Sequence, residues 1–294
     1  MRRESGFRSS AERRHRVARH LPAVLAFAAL LAAASPAAAD GKVEAKYDIT
    51  LAGVSLGHAA VVIEVTADSY SASGSAQLTG VMRAVVSGHG TAAVRGNIVG
   101  GRIVPLSYSM WSESKKRTDE VRMAMAAGVV RETFANPIPG PAPDRVPLTD
   151  AHRVDVLDPM SAGFIVLEGT GDLINPAACD RMVPIFDGRY RYEIELKFFR
   201  IEKVSVPKGY VGPAVVCNAT YRPIAGHRPS KLPTKYTTEN DEIRVWLVPI
   251  AGTRALVPYK LSIGTIVGAL VLQATAFHTE AKEITTPVSA PKSQ

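Results

Sequence analysis

Alternation with a period of two constrains this chain more than any other feature. From Val43 to Leu51 the odd positions (Val43, Ala45, Tyr47, Ile49, Leu51) are apolar and the even ones (Glu44, Lys46, Asp48, Thr50) polar. From Arg189 to Phe198, Tyr190, Tyr192, Ile194, Leu196 and Phe198 face one way; Arg189, Arg191, Glu193, Glu195 and Lys197 face the other. Val257, Tyr259, Leu261 and Ile263 repeat the pattern against Pro258, Lys260 and Ser262. Such alternation marks strands with one face on a core and the other in water, and helical spacing cannot produce it.

Turn residues punctuate these runs. Gly53, Gly57, Gly74, Gly80, Gly96, Gly100-Gly101 and Gly128 recur through the first half, as short antiparallel connections require. Asp187-Gly188 between Ile185-Phe186 and Arg189-Tyr190 reads as a two-residue hairpin turn. A second hairpin is predicted around Gly264–Gly268, joining Leu256–Ile263 to Leu270–Phe277.

Two segments depart from the pattern. Residues 136–147 hold five prolines (Pro137, Pro139, Pro141, Pro143, Pro147) and read as an extended connector that cannot donate into a ladder. It is read as a crossover inside one sheet system, because neither half alone offers enough strands to cover its inward face. Just after it, Asp158 at an N-cap and Pro159 at the first helical position predict a short helix over 159–168. Residues 279–294 have little to bury and are expected to form a frayed tail.

Ahead of the strands, Met1–Ala39 has three zones. Arg2, Arg3, Arg8, Arg13, Arg14, Arg16 and Arg19 precede an apolar block from Leu21 to Ala34, and Ala37 and Ala39 stand as an A-x-A cleavage site. That layout predicts a signal peptide removed after residue 39, in an exported, periplasmic protein. The block is shorter than the roughly 20 residues that span a bilayer, and Ile263–Ala276 is short and interrupted by Gly264, Gly268 and Gln273. No membrane anchor is therefore expected once the leader is gone. Arg13-Arg14 lacks the apolar residues that follow a twin-arginine signal, which favours the general secretion route. No cysteine follows the leader, which disfavours a lipid anchor.

The leader also carries most of the basic balance. Its seven Arg and two acids account for the fall from +8 to +3 when it is removed. A nucleic-acid partner is thus not expected, since that wants a clustered basic face. Two cysteines, Cys179 and Cys217, remain. In an exported chain the default is a disulfide between them, two buried free thiols being the alternative. Such a bond is worth roughly 3–4 kcal/mol on the chain-entropy model.

Motifs that carry chemistry are scarce. His58, His89, His152, His227 and His278 show no pair at metal-ligand spacing, and no metal or cofactor is expected. There is no G-x-S-x-G, P-loop or dinucleotide fingerprint. Gly74-Ser75-Ala76 and Ser87-Gly88-His89-Gly90 lead into no helix and read as turns. Asp155, Asp158, Asp172, Asp180 and Asp187 could supply a carboxylate pair, although Asp158 and Asp187 already serve as cap and turn. The stretch Tyr221–Arg228 gathers cationic donors after Cys217. Tyr221, His227 and Arg228, together with Arg181, Asp187 and Arg189, are the candidate binding residues, suited to an anionic headgroup or carboxylate.

Several segments, taken in order, resemble a known family. They are Tyr47-Asp48-Ile49 with Gly53 and Gly57; Asp155–Leu167 with its Asp158-Pro159-Met160-Ser161 core; Val183–Arg189; and Val245-Trp246-Leu247 through Val257–Leu261. Together they are similar to the exported proteobacterial proteins grouped as domain of unknown function 3108, over about Lys42 to Ala276. The resemblance implies an exported β-rich domain without an established activity, and it transfers no catalytic residue. The cysteines and the Gly226-His227 loop look like features of one branch.

The expected fold is all-β: antiparallel strands in a curved sheet, an open barrel or β-roll, forming a single domain over 40–278. Twisted sheets of many strands curl, leaving a concave apolar side. The expected function is that of a monomeric, non-catalytic periplasmic envelope protein binding a lipid-like or amphipathic ligand, or a partner, in that concavity. The alternative is a hydrolase acting on a cell-envelope polymer. An outer-membrane barrel is disfavoured by the Lys, Arg and Glu on the outward strand faces.

Overall fold

The computed structural model describes residues 40–79 and 88–282. The leader, its cleavage site and residues 283–294 of the expected tail lie outside the described residues. The alternating segments form strands as predicted. The first seven are β1 (Asp40–Leu51), β2 (Val54–Val65), β3 (Ser69–Leu78), β4 (Gly88–Val99), β5 (Arg102–Ser114), β6 (Arg117–Ala126) and β7 (Val129–Asn136). After the connector come β8 (Ile165–Val166), β9 (Arg181–Phe186), β10 (Arg191–Ser205) and β11 (Lys208–Gly209). The last are β12 (Val211–Ala225), β13 (Ile243–Pro249), β14 (Ala255–Ile263) and β15 (Leu270–Lys282). β15 runs four residues past the expected start of the tail, because Thr279–Lys282 pair with Asp40–Val43.

All strands join one sheet, with the main order β7-β6-β5-β4-β3-β2-β1-β15-β14-β13-β12-β10-β9. Neighbours along this path are antiparallel, and the first and last strands meet in mid-sheet, where β1 pairs with β15. Two meanders thus extend from a central seam of terminal strands, and the curved sheet does not close into a barrel. The connector runs from the free edge at β7 to the free edge at β9. Between those edges it supplies backbone bonds to both: Val156 N–H donates to the Gly128 carbonyl, Leu157 N–H to Pro184, and Phe186 N–H to Leu157.

The short α-helix, α1, lies at Leu232–Glu239, between β12 and β13, and not over 159–168. At 159–168 the Asp158 cap operates, its carboxylate accepting from the Met160 and Ser161 amides at 2.9 Å. The turn it starts is 3-10 and stops at Gly163, because Phe164–Val166 extend toward β14. The predicted turn at Asp187-Gly188 is shifted by one residue. Asp187 N–H donates to the Tyr190 carbonyl, so Gly188-Arg189 are the central pair, with Gly188 at φ 93°. The hairpin at Gly264–Gly268 forms as predicted. Not every glycine is a turn. Gly96 lies inside β4, where a Cβ would stand 2.6 Å from the Tyr70 ring and from the Val104 carbonyl. Its place in the strand makes room for an aromatic side chain.

The sheet buries side chains on two sides. Inside the curve, Val43, Ala45, Tyr47, Ile63, Tyr70, Val94, Tyr108, Val121 and Met123 pack with Val216, Trp246, Val248, Val257 and Phe277. Outside the curve, the segment Ile165–Cys179 covers a second core with Ile185, Leu196, Val215, Cys217, Val245, Leu247 and Leu256. β12 and β13 therefore feed both cores from successive residues, which explains their unbroken apolar runs. Tyr192, Ile194 and Leu196 share a face, as alternation predicts, and that face belongs to the outer core. A register slip between Phe198 and Arg200 then changes the phase. Phe198 emerges 41% exposed, and Val204 is buried on the inner side.

Cys179 and Cys217 are disulfide-bonded, with Cα atoms 5.4 Å apart. Both are fully buried in the outer core, so the bond clamps the covering segment to β12.

Candidate functional site

A groove of about 480 Å³ opens on the inner side of β2–β5. Its wall is built from small residues at alternate positions: Ala59 on β2, Ala72, Gly74 and Ala76 on β3, Gly90 and Ala92 on β4. Further along the same face the positions are filled by Tyr70, Val94 and Tyr108, all buried. The groove is thus a local shortage of side-chain volume on a face that elsewhere packs densely. Met110, Val257, Leu272, Met160 and Phe164 complete an apolar lining. Its size lies in the range of small-molecule sites, roughly 300–1,000 Å³.

The groove holds little that could do acid–base work. Among its described lining residues no Asp, Glu, His, Lys or Arg occurs. Tyr47 donates to the Pro258 carbonyl at 2.8 Å, and burial raises its pKa above the ordinary phenol range. Ser75, Thr91 and Ser112 are the remaining aliphatic hydroxyls. Behind the lining, the Tyr70 hydroxyl and Ser161 Oγ are 2.6 Å apart, and Ser161 Oγ donates to the Asp158 carboxylate. Asp158 is fully buried, and desolvation raises its pKa against the opposing hydrogen bonds.

The residues singled out from the sequence lie elsewhere, and most are already engaged. Arg189 reaches across the sheet's open seam. Its guanidinium donates to the carbonyls of Pro137 at 3.0 Å, Asn136 at 2.9 Å and Glu120 at 3.2 Å, and pairs with Asp119 at 3.3 Å. The Asp187 carboxylate accepts from the Arg189 and Tyr190 amides, while burial raises its pKa. Arg228 pairs with Asp144 at 2.7 Å. Asp144, held also by Ser230, titrates well below the usual carboxylate range. The His227 carbonyl accepts from Val146 N–H, its buried Nδ1 has no partner, and desolvation lowers its pKa.

Tyr221 packs against Tyr192, ring centroids 5.2 Å apart, beside the outer core. Arg181 lies next to the disulfide, with one long bond of 3.4 Å to the Ala177 carbonyl and a buried Nε without a partner. Asp187, Arg189, His227 and Arg228 thus gather where the connector meets the β9–β10 turn and the end of β12. Arg181 stands apart at the other end of β9. None of the six lines the groove.

Gly74-Ser75-Ala76 and Gly88-His89-Gly90, read from the sequence as turns, lie inside β3 and β4, where Gly74, Ala76 and Gly90 line the groove. Their signal was present as the alternation of Ala72-Ser73-Gly74-Ser75-Ala76 and Gly90-Thr91-Ala92, in which the inward positions are as small as the outward ones.

Among the described residues no cluster of three or more His, Cys, Asp or Glu could hold a metal ion. No helix among them is long and apolar enough to cross a membrane.

No curated protein matches the chain. Among solved structures, the β-barrel-like protein of domain of unknown function DUF1849 from Brucella abortus resembles it at 10% identity. The TM-score is 0.44, over 83% of this chain and 99% of that one. The family model of DUF3108, a protein of unknown function, matches residues 46–275, and the chain belongs to that family.

Proposed function

We propose that this protein binds a lipid-like or amphipathic ligand in its groove and carries out no chemistry on it. The observation that carries this reading is the inner wall of Ala59, Ala72, Gly74, Ala76, Gly90 and Ala92, which leaves open apolar volume with no Asp, Glu, His, Lys or Arg among its described lining residues. An alkyl chain entering it exchanges water for apolar contact at about 25 cal/mol per Å². The same lining offers a sugar polymer few hydrogen-bond partners, which weighs against hydrolysis of an envelope polymer. The protein works outside the cytoplasm in this reading. The three-zone leader and the buried disulfide both support an oxidising compartment.

The test is mass spectrometry of an organic extract of the purified protein. An acyl-chain compound at near one copy per chain is the expected result. A protein that extracts clean and takes up no fluorescent fatty acid, yet cleaves a peptidoglycan or glycan panel, would reverse the assignment.

A further inference from the structure

The groove lies close to one rim of the sheet. Ala76, Gly90, Ser112 and Leu272, all in its lining, stand two residues from the ends of β3, β4, β5 and β15. These ends are contiguous through the ladders, as Leu270 pairs with Leu51, Leu51 with Val54, Gly57 with Leu78, Leu78 with Gly88, and Gly88 with Ser114. At this rim the chain exposes side chains that water does not favour. Ile266 is 87% and Val267 61% exposed on the β14–β15 turn, Leu232 is 79% exposed on α1, and Val54 is 49% exposed on the adjoining β1–β2 hairpin.

Resting on the reading that the groove takes an acyl chain, we propose that this rim docks on the surface of a lipid bilayer. Ile266 and Val267 enter its apolar zone, and the β5–β6 tip meets anionic headgroups.

Two features select a bilayer as the partner. The first is form. Ile266 and Val267 sit on a turn closed by reciprocal Thr265–Gly268 backbone bonds of 3.0 Å. That turn is braced on its neighbour, since Ala52 N–H donates to the Ala269 carbonyl at 2.9 Å. The aliphatic groups therefore project from a turn held by backbone bonds on both sides. A fluid apolar phase accepts such protrusions, whereas a folded partner would need a matching relief.

The second feature is charge. Lys115, Lys116 and Arg117 are consecutive and exposed on the β5–β6 tip, and neither lysine has a carboxylate partner among the described residues. On the other side of the rim the exposed Lys231 and Lys235 are offset by Glu239, Asp241 and Glu242, so among the described residues headgroup attraction is strongest on the β5–β6 side. Groove-lining residues come within two positions of this rim, so docking there lets an acyl chain pass between bilayer and protein without crossing water.

The test is co-sedimentation of the full chain with vesicles of phosphatidylethanolamine and phosphatidylglycerol. Wild type is compared with Ile266→Ser/Val267→Ser, with Lys115→Glu/Lys116→Glu, and with Val211→Ser. Val211 is 61% exposed at the start of β12, on the opposite rim. All variants carry the same residues 1–39, so any contribution from that segment cancels. The Ile266/Val267 variant should lose partitioning by roughly tenfold or more. The lysine variant should lose it on anionic vesicles and not on phosphatidylcholine, and the Val211 variant should keep it.

Equal partitioning of the Ile266/Val267 and Val211 variants would overturn the proposal. So would unchanged vesicle binding together with loss of a protein partner. Near-ultraviolet circular dichroism checks folding, and the lysine arm decides the matter should the turn variant unfold. Uptake of a fluorescent fatty acid is measured separately. Rim-dependent partitioning without uptake removes the groove reading and keeps the rim, and uptake without rim dependence does the converse.

Discussion

The Arg189 guanidinium donates to the Asn136 carbonyl at 2.9 Å, across a gap where the two edges of the sheet form no ladder. Its bonds to Pro137 and Glu120 make it a side-chain substitute for the missing strand pairing. The Arg189 side chain is 10% exposed, and losing it takes the donor from two part-buried carbonyls, Pro137 and Glu120, as well as from Asn136. Arg189→Ala should cost about 2–4 kcal/mol, and Arg189→Lys should recover only a fraction, since an ammonium lacks the planar fork. Urea denaturation measures both. A loss below about 1 kcal/mol for Arg189→Ala would mean that the seam is held by the backbone bonds at Val156 and Leu157 alone.

The sequence made some of this fold legible and hid the rest for identifiable reasons. β1 and the first half of β10 each have one wet face, so Val43–Leu51 and Tyr190–Leu196 announce their faces by alternation. Ala214–Cys217 and Val245–Val248 are covered on both sides, and a strand buried twice carries no period. The Asp158 cap was readable, while the length of its turn depended on where Phe164 and Ile165 had to go, a tertiary fact. Arg189 and Arg228 looked available for a ligand because their partners, Asn136 and Asp144, are more than fifty residues away in sequence. The groove was the hardest to see, since it consists of what Ala72, Gly74 and Ala92 leave unfilled.

The disulfide joins residues 38 positions apart and clamps the covering segment Ile165–Cys179 over the outer core. Cys179→Ala/Cys217→Ala should lower stability by about 4 kcal/mol, as loop closure of this length implies. Both sulfurs belong to fully buried residues, so neither should react with iodoacetamide in the folded protein until reductant and denaturant are both present. Rapid alkylation under native, non-reducing conditions would contradict the clamp.

Asp158 gives the protein a pH signature of known sign. Its carboxyl is buried at 0% exposure and its pKa is raised by desolvation. The native state therefore holds this proton at pH values where the unfolded chain has released it. By linkage, stability is lost as pH rises from the unfolded value of 3.8 through the raised folded value. Asp158→Asn can still accept the Met160 and Ser161 amides and carries no charge to desolvate. Its stability relative to wild type should thus improve between about pH 4 and pH 7. Parallel denaturation curves at the two ends of that window would show the difference. A pH-independent difference would mean that the hydrogen bonds from Ser161 and Met160 offset the burial.

The groove can be filled without touching the core beneath it. Ala92 is half-buried, lines the open volume and points the same way as Val94 and Gly90 on β4. Replacing it with Leu adds side-chain volume to empty space, so the overpacking penalty of about 1–3 kcal/mol for a full core does not apply. Stability should change by less than about 1 kcal/mol, while affinity for a fluorescent fatty acid should fall roughly tenfold or more through lost room. Ala93, the next residue, faces outward and is exposed. Ala93→Leu, of identical chemistry, should leave the affinity unchanged. Equal effects at the two positions would place the apolar probe on the outside of the sheet and not in the groove.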